Sequence, residues 1–150
     1  MTQDMQEMTR TDTSPEQAAA TASERLTVML VDDHFLVRLG IQSVVERQCG
    51  HDVIAQAGDG KHAIELAREL HPQVVLMDIN MPVMNGIDAT RVIKKEMPEV
   101  TVIAVTMYSD EATRQAMIDA GASRYVDKTV LGPELCGTIR EAVTHSHSGN

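Results

Sequence analysis

Charged and polar side chains directly follow short apolar runs at several points of the sequence. Asp32 and Asp33 follow the run VMLV, and Asp78 follows VVLM. Thr106 ends the run VIAVT, and Lys128 comes two residues after RYV. Carboxylates that lie close together suit a hard divalent cation, while a hydroxyl and an ammonium group suit the oxygens of a phosphoryl group. These five residues are candidates for one site, provided that the fold brings them together.

The apolar runs alternate with helical patterns along the chain. Predicted strands, numbered β1 to β5, cover residues 26–31, 52–57, 74–77, 100–105 and 124–126. Predicted helices, numbered α1 to α5, cover residues 35–48, 61–70, 87–97, 110–120 and 133–143. Strands that are apolar on both faces are typical of a parallel sheet covered by helices on both sides. The sequence therefore predicts a three-layer, doubly wound α/β domain.

Parallel strands deliver their carboxyl ends to one edge of the sheet, where ligands of open α/β sheets bind. One Asp after a strand is as often a helix cap as a functional group. Four strand ends that carry complementary groups are an improbable accident, so we expect the five candidates to meet there. Mg²⁺ suits such a cluster because it binds one or two carboxylates together with carbonyl oxygen and water.

Other phosphate and metal motifs fit the sequence poorly. Residues 58–61, GDGK, lack the spacing of a P-loop, and Pro82 and Val83 occupy positions that an EF-hand gives to a ligand and a glycine. A phosphatase with an aspartyl nucleophile would want an acid two residues after Asp78, where Asn80 stands. An amide cannot transfer the proton for fast turnover, so the site favours accepting a phosphoryl group over processing substrates. An aspartyl-phosphate phosphatase is kept as the alternative.

Composition limits the partners and the location of the chain. Its 150 residues carry 22 acidic and 13 basic side chains, and only 2% are aromatic, so we expect no direct nucleic-acid contact. No run approaches the length of a membrane span, and residues 1–10 have no apolar signal-peptide core, so we expect a cytoplasmic protein without membrane contact. Cys49 and Cys136 are the only cysteines, and they predict two buried, reduced thiols.

The two ends of the chain differ in composition from its middle. Residues 1–25 are polar and hold only Met as large apolar side chains, which predicts a flexible tail. The folded domain is expected over residues 26–143, followed by a C-terminal tail, residues 144–150. His145 and His147 in that tail are expected to be solvated rather than to bind metal.

The stretch from Leu26 to Val143 closely resembles the receiver domain of two-component response regulators. The matching motifs are LVDDH at 30–34, LMDINMPVMNG at 76–86, VTMYS at 105–109 and DAGASRYVDK at 119–128. The resemblance implies a flavodoxin-like sheet with the strand order 2-1-3-4-5. The segment DDHFLVRLGI is most similar to receivers that precede a helix-turn-helix DNA-binding domain.

The resemblance also implies roles for the site residues. Asp78 would be the phosphoacceptor and would take its phosphoryl group from a sensor histidine kinase or a histidine phosphotransfer protein. Asp33, Asp78 and the backbone carbonyl of Asn80 would bind Mg²⁺, or Mn²⁺ in its place, and Asp32 would act through a bound water. The chain would catalyse only its own phosphorylation and dephosphorylation and would not be an enzyme in the ordinary sense.

A conformational switch follows from the same resemblance. Thr106 and Lys128 would bind the phosphoryl oxygens, Thr106 would move toward the new group, and Tyr125 would turn inward behind it. The α4–β5–α5 face, around Met117, Tyr125 and Leu135, would then change its affinity for a downstream effector protein. The new charge thereby biases an existing equilibrium between two arrangements.

Two positions depart from the family pattern or are distinctive. The family's lysine is often followed by a proline with a cis bond, but Thr129 follows Lys128, so we expect a different loop there. Tyr108 lies with Asn80 and Met107 on the expected path of the hydrolytic water. Its bulk is expected to slow hydrolysis of the acyl phosphate.

The output of the protein is open from the sequence. A stand-alone receiver and a transcription regulator cut at its linker both fit the sequence. A homodimer contact through Leu135 and Ile139 is the alternative to packing of these residues in the core.

Overall fold

The computed structural model describes residues 25–107, 110–129 and 132–148, with side chains described as far as residue 144. Over these residues, strands and helices alternate. The strands are β1 Thr27–Val31, β2 Asp52–Ala57, β3 Val74–Met77, β4 Thr101–Thr106 and β5 Arg124–Asp127. The helices are α1 Phe35–Ser43, which continues as a π-helical segment over Val44–Gln48, α2 Gly60–Leu70, α3 Gly86–Glu96, α4 Glu111–Ala120 and α5 Pro133–Ser148.

The five strands form one parallel sheet in the order β2-β1-β3-β4-β5, which confirms the predicted topology. Successive residues of a strand point to opposite faces. Met29 and Val31 therefore pack in a core with α2, α3 and α4, whereas Val28 and Leu30 pack in a second core with α1 and α5. The sheet is thus covered on both sides, as its apolar strands require.

Three helices begin with a side-chain cap. Asp59, Asn85 and Asp110 each accept a hydrogen bond at 2.8 Å from the backbone N–H three residues further along. Such a cap satisfies one of the N–H groups that a helix leaves unpaired at its start. The acids that follow β1 and β3 are different residues and do not cap these helices.

Helix α5 continues to Ser148, five residues beyond its predicted end at residue 143. The predicted N-terminal tail lies outside the described residues, except for Arg25, whose guanidinium is 2.9 Å from the carboxylate of Asp52. The side chains of His145 and His147 and all of Tyr108 also lie outside the described part of the chain. Among the described helices, none has the length and apolarity needed to cross a bilayer.

The prediction of two reduced thiols is wrong. Cys49 and Cys136 form a disulfide, with their Cα atoms 5.2 Å apart at a sequence separation of 87. The bond joins the end of the π-helical segment to the beginning of α5. Separation along the chain concealed this proximity, which arises only when α1 and α5 pack on the same side of the sheet.

Two residues expected on the α4–β5–α5 face lie in the core instead. Met117 and Leu135, expected on the α4–β5–α5 face, are both 0% exposed. Ile139 is also 0% exposed, so core packing is confirmed for Leu135 and Ile139 over the alternative of a homodimer contact. Apolar residues at helical spacing produce the same pattern in a core as at an interface. These three side chains are therefore not available to a partner in this structure.

Candidate functional site

The acids after β1 and β3 lie side by side at the carboxyl edge of the sheet. The register pairs Val31 with Met77, and the Asp78 N–H donates to the Val31 carbonyl at 2.9 Å. One ligand atom each from Asp32, Asp33, His34 and Asp78 lies within 4.8 Å of the others. The expected convergence of the three carboxylates is therefore present in the structure.

Lys128 lies against two of these acids. Its Nζ is 2.5 Å from Oδ2 of Asp32 and 3.3 Å from Oδ1 of Asp78, and its side chain is only 8% exposed. The Lys128 backbone N–H donates to the Thr106 carbonyl at 2.8 Å. The end of β5 thereby holds the ammonium group beside the ends of β1 and β3.

Thr129 follows Lys128 at the position where the family pattern often has a proline. No cis peptide bond occurs among the described residues, so the Lys128–Thr129 bond is trans. The backbone N–H and the hydroxyl of Thr129 both donate to Oδ1 of Asp127, at 2.9 and 2.8 Å. This side-chain turn holds the backbone around Lys128.

Burial and charge determine the protonation preferences of the two central groups. Burial raises the pKa of Asp78, and the neighbouring charge of Asp32 raises it further, against the opposing effect of Lys128. For Lys128, burial alone would lower the pKa, but its contacts with Asp32 and Asp78 outweigh burial and raise it. The site thus holds a carboxylate in surroundings unfavourable to its charge, next to a firmly protonated amine.

The remaining predicted residues lie around this centre. Thr106 is the last residue of β4, is 5% exposed and pairs in register with Asp127. Asn80 and Met107 line a cleft of about 270 Å³ whose other lining residues are His34, Val37, Asp78 and Lys128. Tyr125 lies outside this cleft, and 45% of its surface is exposed. The structure therefore brings the predicted chemical groups together and leaves the predicted switch tyrosine on the surface.

Two residues at the site were missed in the sequence. His34 Nδ1 lies 3.2 Å from Asp32 Oδ1 and 3.1 Å from Asp33 Oδ1. Arg38, one turn into α1, donates to the backbone carbonyl of Asp32 and also to Gln56 at 3.0 Å. His34 and Arg38 lie two and six residues after Asp32, and this spacing was the signal in the sequence that could have identified them.

The loop after Asp78 folds back onto its backbone and requires a glycine. The Gly86 N–H donates to the Ile79 carbonyl at 2.8 Å, and a Cβ on Gly86 would come 1.9 Å from the Asp78 carbonyl oxygen. No side chain fits that space. Gly86 therefore lets α3 start directly against the strand end that carries Asp78.

The donor set fits a hard divalent cation. Three carboxylates converge, and 30% of the Asp33 side chain is exposed, so an ion can reach the cluster from solvent. Oxygen ligands of this kind are those that Mg²⁺ and Mn²⁺ select. A lysine also lies among the acids, which suits the binding of an anionic group next to the ion.

A three-layer parallel α/β domain with an acidic, lysine-containing pocket at its strand ends is the class of protein that the fold and the site define. The chain belongs to the response regulator receiver domain family, whose model matches residues 28–140. The response regulator protein VraR of Staphylococcus saprophyticus is 37% identical over 116 residues, which are 77% of this chain and 56% of that protein. The chain thus spans about half the length of the curated relatives it matches.

Solved structures agree with this assignment. A LuxR-family two-component response regulator from Aurantimonas sp. SI85-9A1 is 36% identical with a TM-score of 0.76, over 81% of this chain and 86% of that chain. The response regulator domain of Thermotoga maritima CheB is 32% identical with a TM-score of 0.74, over 81% of this chain and 98% of that chain. Both the fold and the family are therefore those predicted from the motifs.

Proposed function

We propose that Asp78 is the phosphoacceptor of this receiver domain and that a sensor histidine kinase or a histidine phosphotransfer protein supplies the phosphoryl group. The observation that carries this proposal is the position of Asp78. Its carboxylate is buried at the strand edge, 3.3 Å from the Lys128 ammonium and within 4.8 Å of two further acids. A carboxylate with a raised pKa and a cation beside it is suited to accept a group that brings its own negative charge.

In the transfer, an oxygen of Asp78 forms a bond to phosphorus as the bond between phosphorus and the donor histidine nitrogen breaks. The histidine ring keeps the electron pair of the broken bond. Lys128 then exchanges part of its contact with Asp78 and Asp32 for the phosphoryl oxygens. Thr106, at the neighbouring strand end, donates its hydroxyl to another of these oxygens.

Asp33, Asp78 and the backbone carbonyl of Asn80 are the proposed ligands of Mg²⁺, for which Mn²⁺ could substitute. Asp32 acts through a water because Arg38 and Lys128 already contact its backbone and side chain. When bound, the ion supplies positive charge to the phosphoryl oxygens. The carboxylates and the phosphoryl group are all negatively charged and repel one another. The site can hold the phosphoryl group only when the charge of the ion offsets this repulsion.

The alternative function, an aspartyl-phosphate phosphatase, would need a further chemical group at the same site. Such an enzyme needs a general acid near the leaving group, and the side chain two residues after Asp78 is the amide of Asn80. His34 also lines the cleft and has a side chain that can carry a proton, but its imidazole lies against Asp32 and Asp33. We therefore propose slow self-dephosphorylation rather than turnover of many substrates.

The output is proposed to pass through the exposed part of the α4–β5–α5 face to an effector protein. Tyr125 and Ile118 are exposed on this face, whereas Met117 and Leu135 are buried. Because the matched relatives are longer than this chain, an attached DNA-binding output domain is the second candidate, in which the receiver itself does not touch DNA. We also propose a cytoplasmic location, which the disulfide does not support because cytoplasmic thiols are usually kept reduced.

The test is incubation of the chain with acetyl phosphate and Mg²⁺, followed by intact mass measurement. We expect a mass gain of one phosphoryl group that is lost in Asp78→Asn and with a chelator. Glu69→Gln, an exposed acid on α2, is the matched control and should keep the gain. Continuous release of phosphate from several donors, without a phosphorylated species, would favour the phosphatase instead.

A further inference from the structure

Arg114 on α4 makes two separate contacts with Tyr125 on β5. Its guanidinium carbon lies 4.9 Å from the centre of the tyrosine ring, in cation–π geometry. Its Nη1 donates to the tyrosine hydroxyl at 3.2 Å. Both contacts exist while 45% of Tyr125 is exposed. They belong to the outward orientation of the ring.

Acidic residues on both elements lie near enough to Arg114 for its charge to act on them. Asp127 ends β5, and its pKa is lowered by the Thr129 N–H and hydroxyl and further by the charge of Arg114. Asp110 caps α4, and its pKa is lowered by its hydrogen bonds with Thr113 and, to a smaller extent, by Arg114. The positive charge of Arg114 therefore acts at both the start of α4 and the end of β5, the strand that carries Tyr125.

We propose that Arg114 is a positioning residue that holds Tyr125 outward and thereby sets the resting balance of the switch. The inference rests on the proposed function, in which Tyr125 turns inward after phosphorylation. An inward ring loses both the cation–π contact and the hydrogen bond. Together these contacts correspond to about a tenfold bias toward the outward orientation.

The packing of α4 does not depend on this arginine. Met117 and Ala120 bury the inner side of the helix, with exposed fractions of 0% and 7%. Arg114 lies one turn before Met117, at the edge of this buried side, and is only partly buried. Its removal should therefore change the orientation of Tyr125 without unfolding the domain.

The composition of the chain provides a direct spectroscopic readout. The sequence has two tyrosines and no tryptophan, so Tyr125 is the only remaining tyrosine in a Tyr108→Phe background. Quenching of its fluorescence by acrylamide reports its exposure before and after addition of acetyl phosphate and Mg²⁺. The variants are Arg114→Ala, Arg114→Lys and, as a matched arginine removal on α3, Arg91→Ala.

Before phosphodonor is added, we expect weaker quenching in Arg114→Ala than in the background protein. If about 5% of resting molecules have the ring inward, a tenfold change brings that to about one third. Arg114→Lys should lie between the two because it keeps the charge without the flat donor group, and Arg91→Ala should match the background. Unchanged or stronger quenching in Arg114→Ala would overturn the inference.

The failure of the proposed function would appear differently. If no phosphorylated species forms, the phosphoacceptor proposal fails, and the resting comparison still decides whether Arg114 holds Tyr125 outward. If the background protein gains a phosphoryl group but its tyrosine quenching does not change, the phosphoacceptor role stands. The switch, and with it the role of Arg114 in setting the balance, is then contradicted.

Discussion

Asp78 is a charged side chain in a setting that stabilises its neutral form. Burial, followed by the charge of Asp32, raises its pKa above the ordinary value, and Lys128 offsets only part of this effect. A folded-state pKa above the unfolded one contributes stability below the unfolded pKa, and this stability is lost as pH rises through the folded pKa. At neutral pH, the ionised Asp78 carboxylate therefore lowers the free energy of unfolding, as functional groups often do.

Asp78→Asn should stabilise the metal-free protein at neutral pH. The amide keeps the shape of the side chain and removes the charge, so we expect a gain of about 1 kcal/mol in the free energy of unfolding. The gain should vanish at a pH below the ordinary pKa of Asp, where the wild-type carboxyl is also neutral. Urea unfolding in a chelator at both pH values checks this. An equal gain at both pH values would show that charge is not its cause.

Thr90 is a buried residue with an unsatisfied side-chain hydroxyl. It is 0% exposed, and its Oγ1 has no hydrogen-bond partner among the described residues. An unsatisfied buried hydroxyl is a cost to folding, whereas its methyl group packs like that of valine.

Thr90→Val should therefore be neutral or stabilising by up to about 1 kcal/mol, while Thr90→Ala should destabilise because it also leaves a cavity. Thermal unfolding of the two variants separates the hydroxyl from the methyl group. A marked loss of stability in Thr90→Val would mean that the hydroxyl has a partner after all.

At the scale of elements, the disulfide joins the end of the π-helical segment to α5. These two elements lie together because both pack on the same side of the sheet. Reduction, or the double variant Cys49→Ser with Cys136→Ser, should lower the free energy of unfolding by about 2–4 kcal/mol, because a long loop is released in the unfolded chain. Urea unfolding with and without a reducing agent measures this. The double variant is the control and should not respond to the agent. Two freely titrating thiols in the untreated native protein would contradict the bond.

The elements that sequence reasoning identified and those it missed differ in a physical way. Strands β1, β3 and β4 are predictable because a strand buried on both faces needs a continuous apolar run. The convergence of the acids after β1 and β3 follows from the geometry of parallel sheets. The disulfide and the burial of Met117 depend on how separate elements pack together, which no local pattern encodes. Sequence motifs therefore located the chemical groups, and the structure supplied their contacts.

For the molecule as a whole, the acid cluster should make stability depend on divalent cations. A ligand that binds only the folded state at about one hundred times its Kd adds about 2.7 kcal/mol. We expect saturating Mg²⁺ to raise the Tm of the chain, and Asp33→Asn to remove most of that rise. Asp119→Asn, an exposed acid on α4, should keep it. The same rise in the Asp33 variant would place the ion elsewhere.

The phosphoryl group is expected on Asp78, and chemical trapping can locate it. Borohydride reduces an acyl phosphate of aspartate to homoserine, which peptide mass spectrometry can locate. After treatment with acetyl phosphate and Mg²⁺, we expect homoserine at position 78, with Asp32 and Asp33 intact. Homoserine at position 32 or 33, or modification of none of the three in a phosphorylated protein, would contradict it.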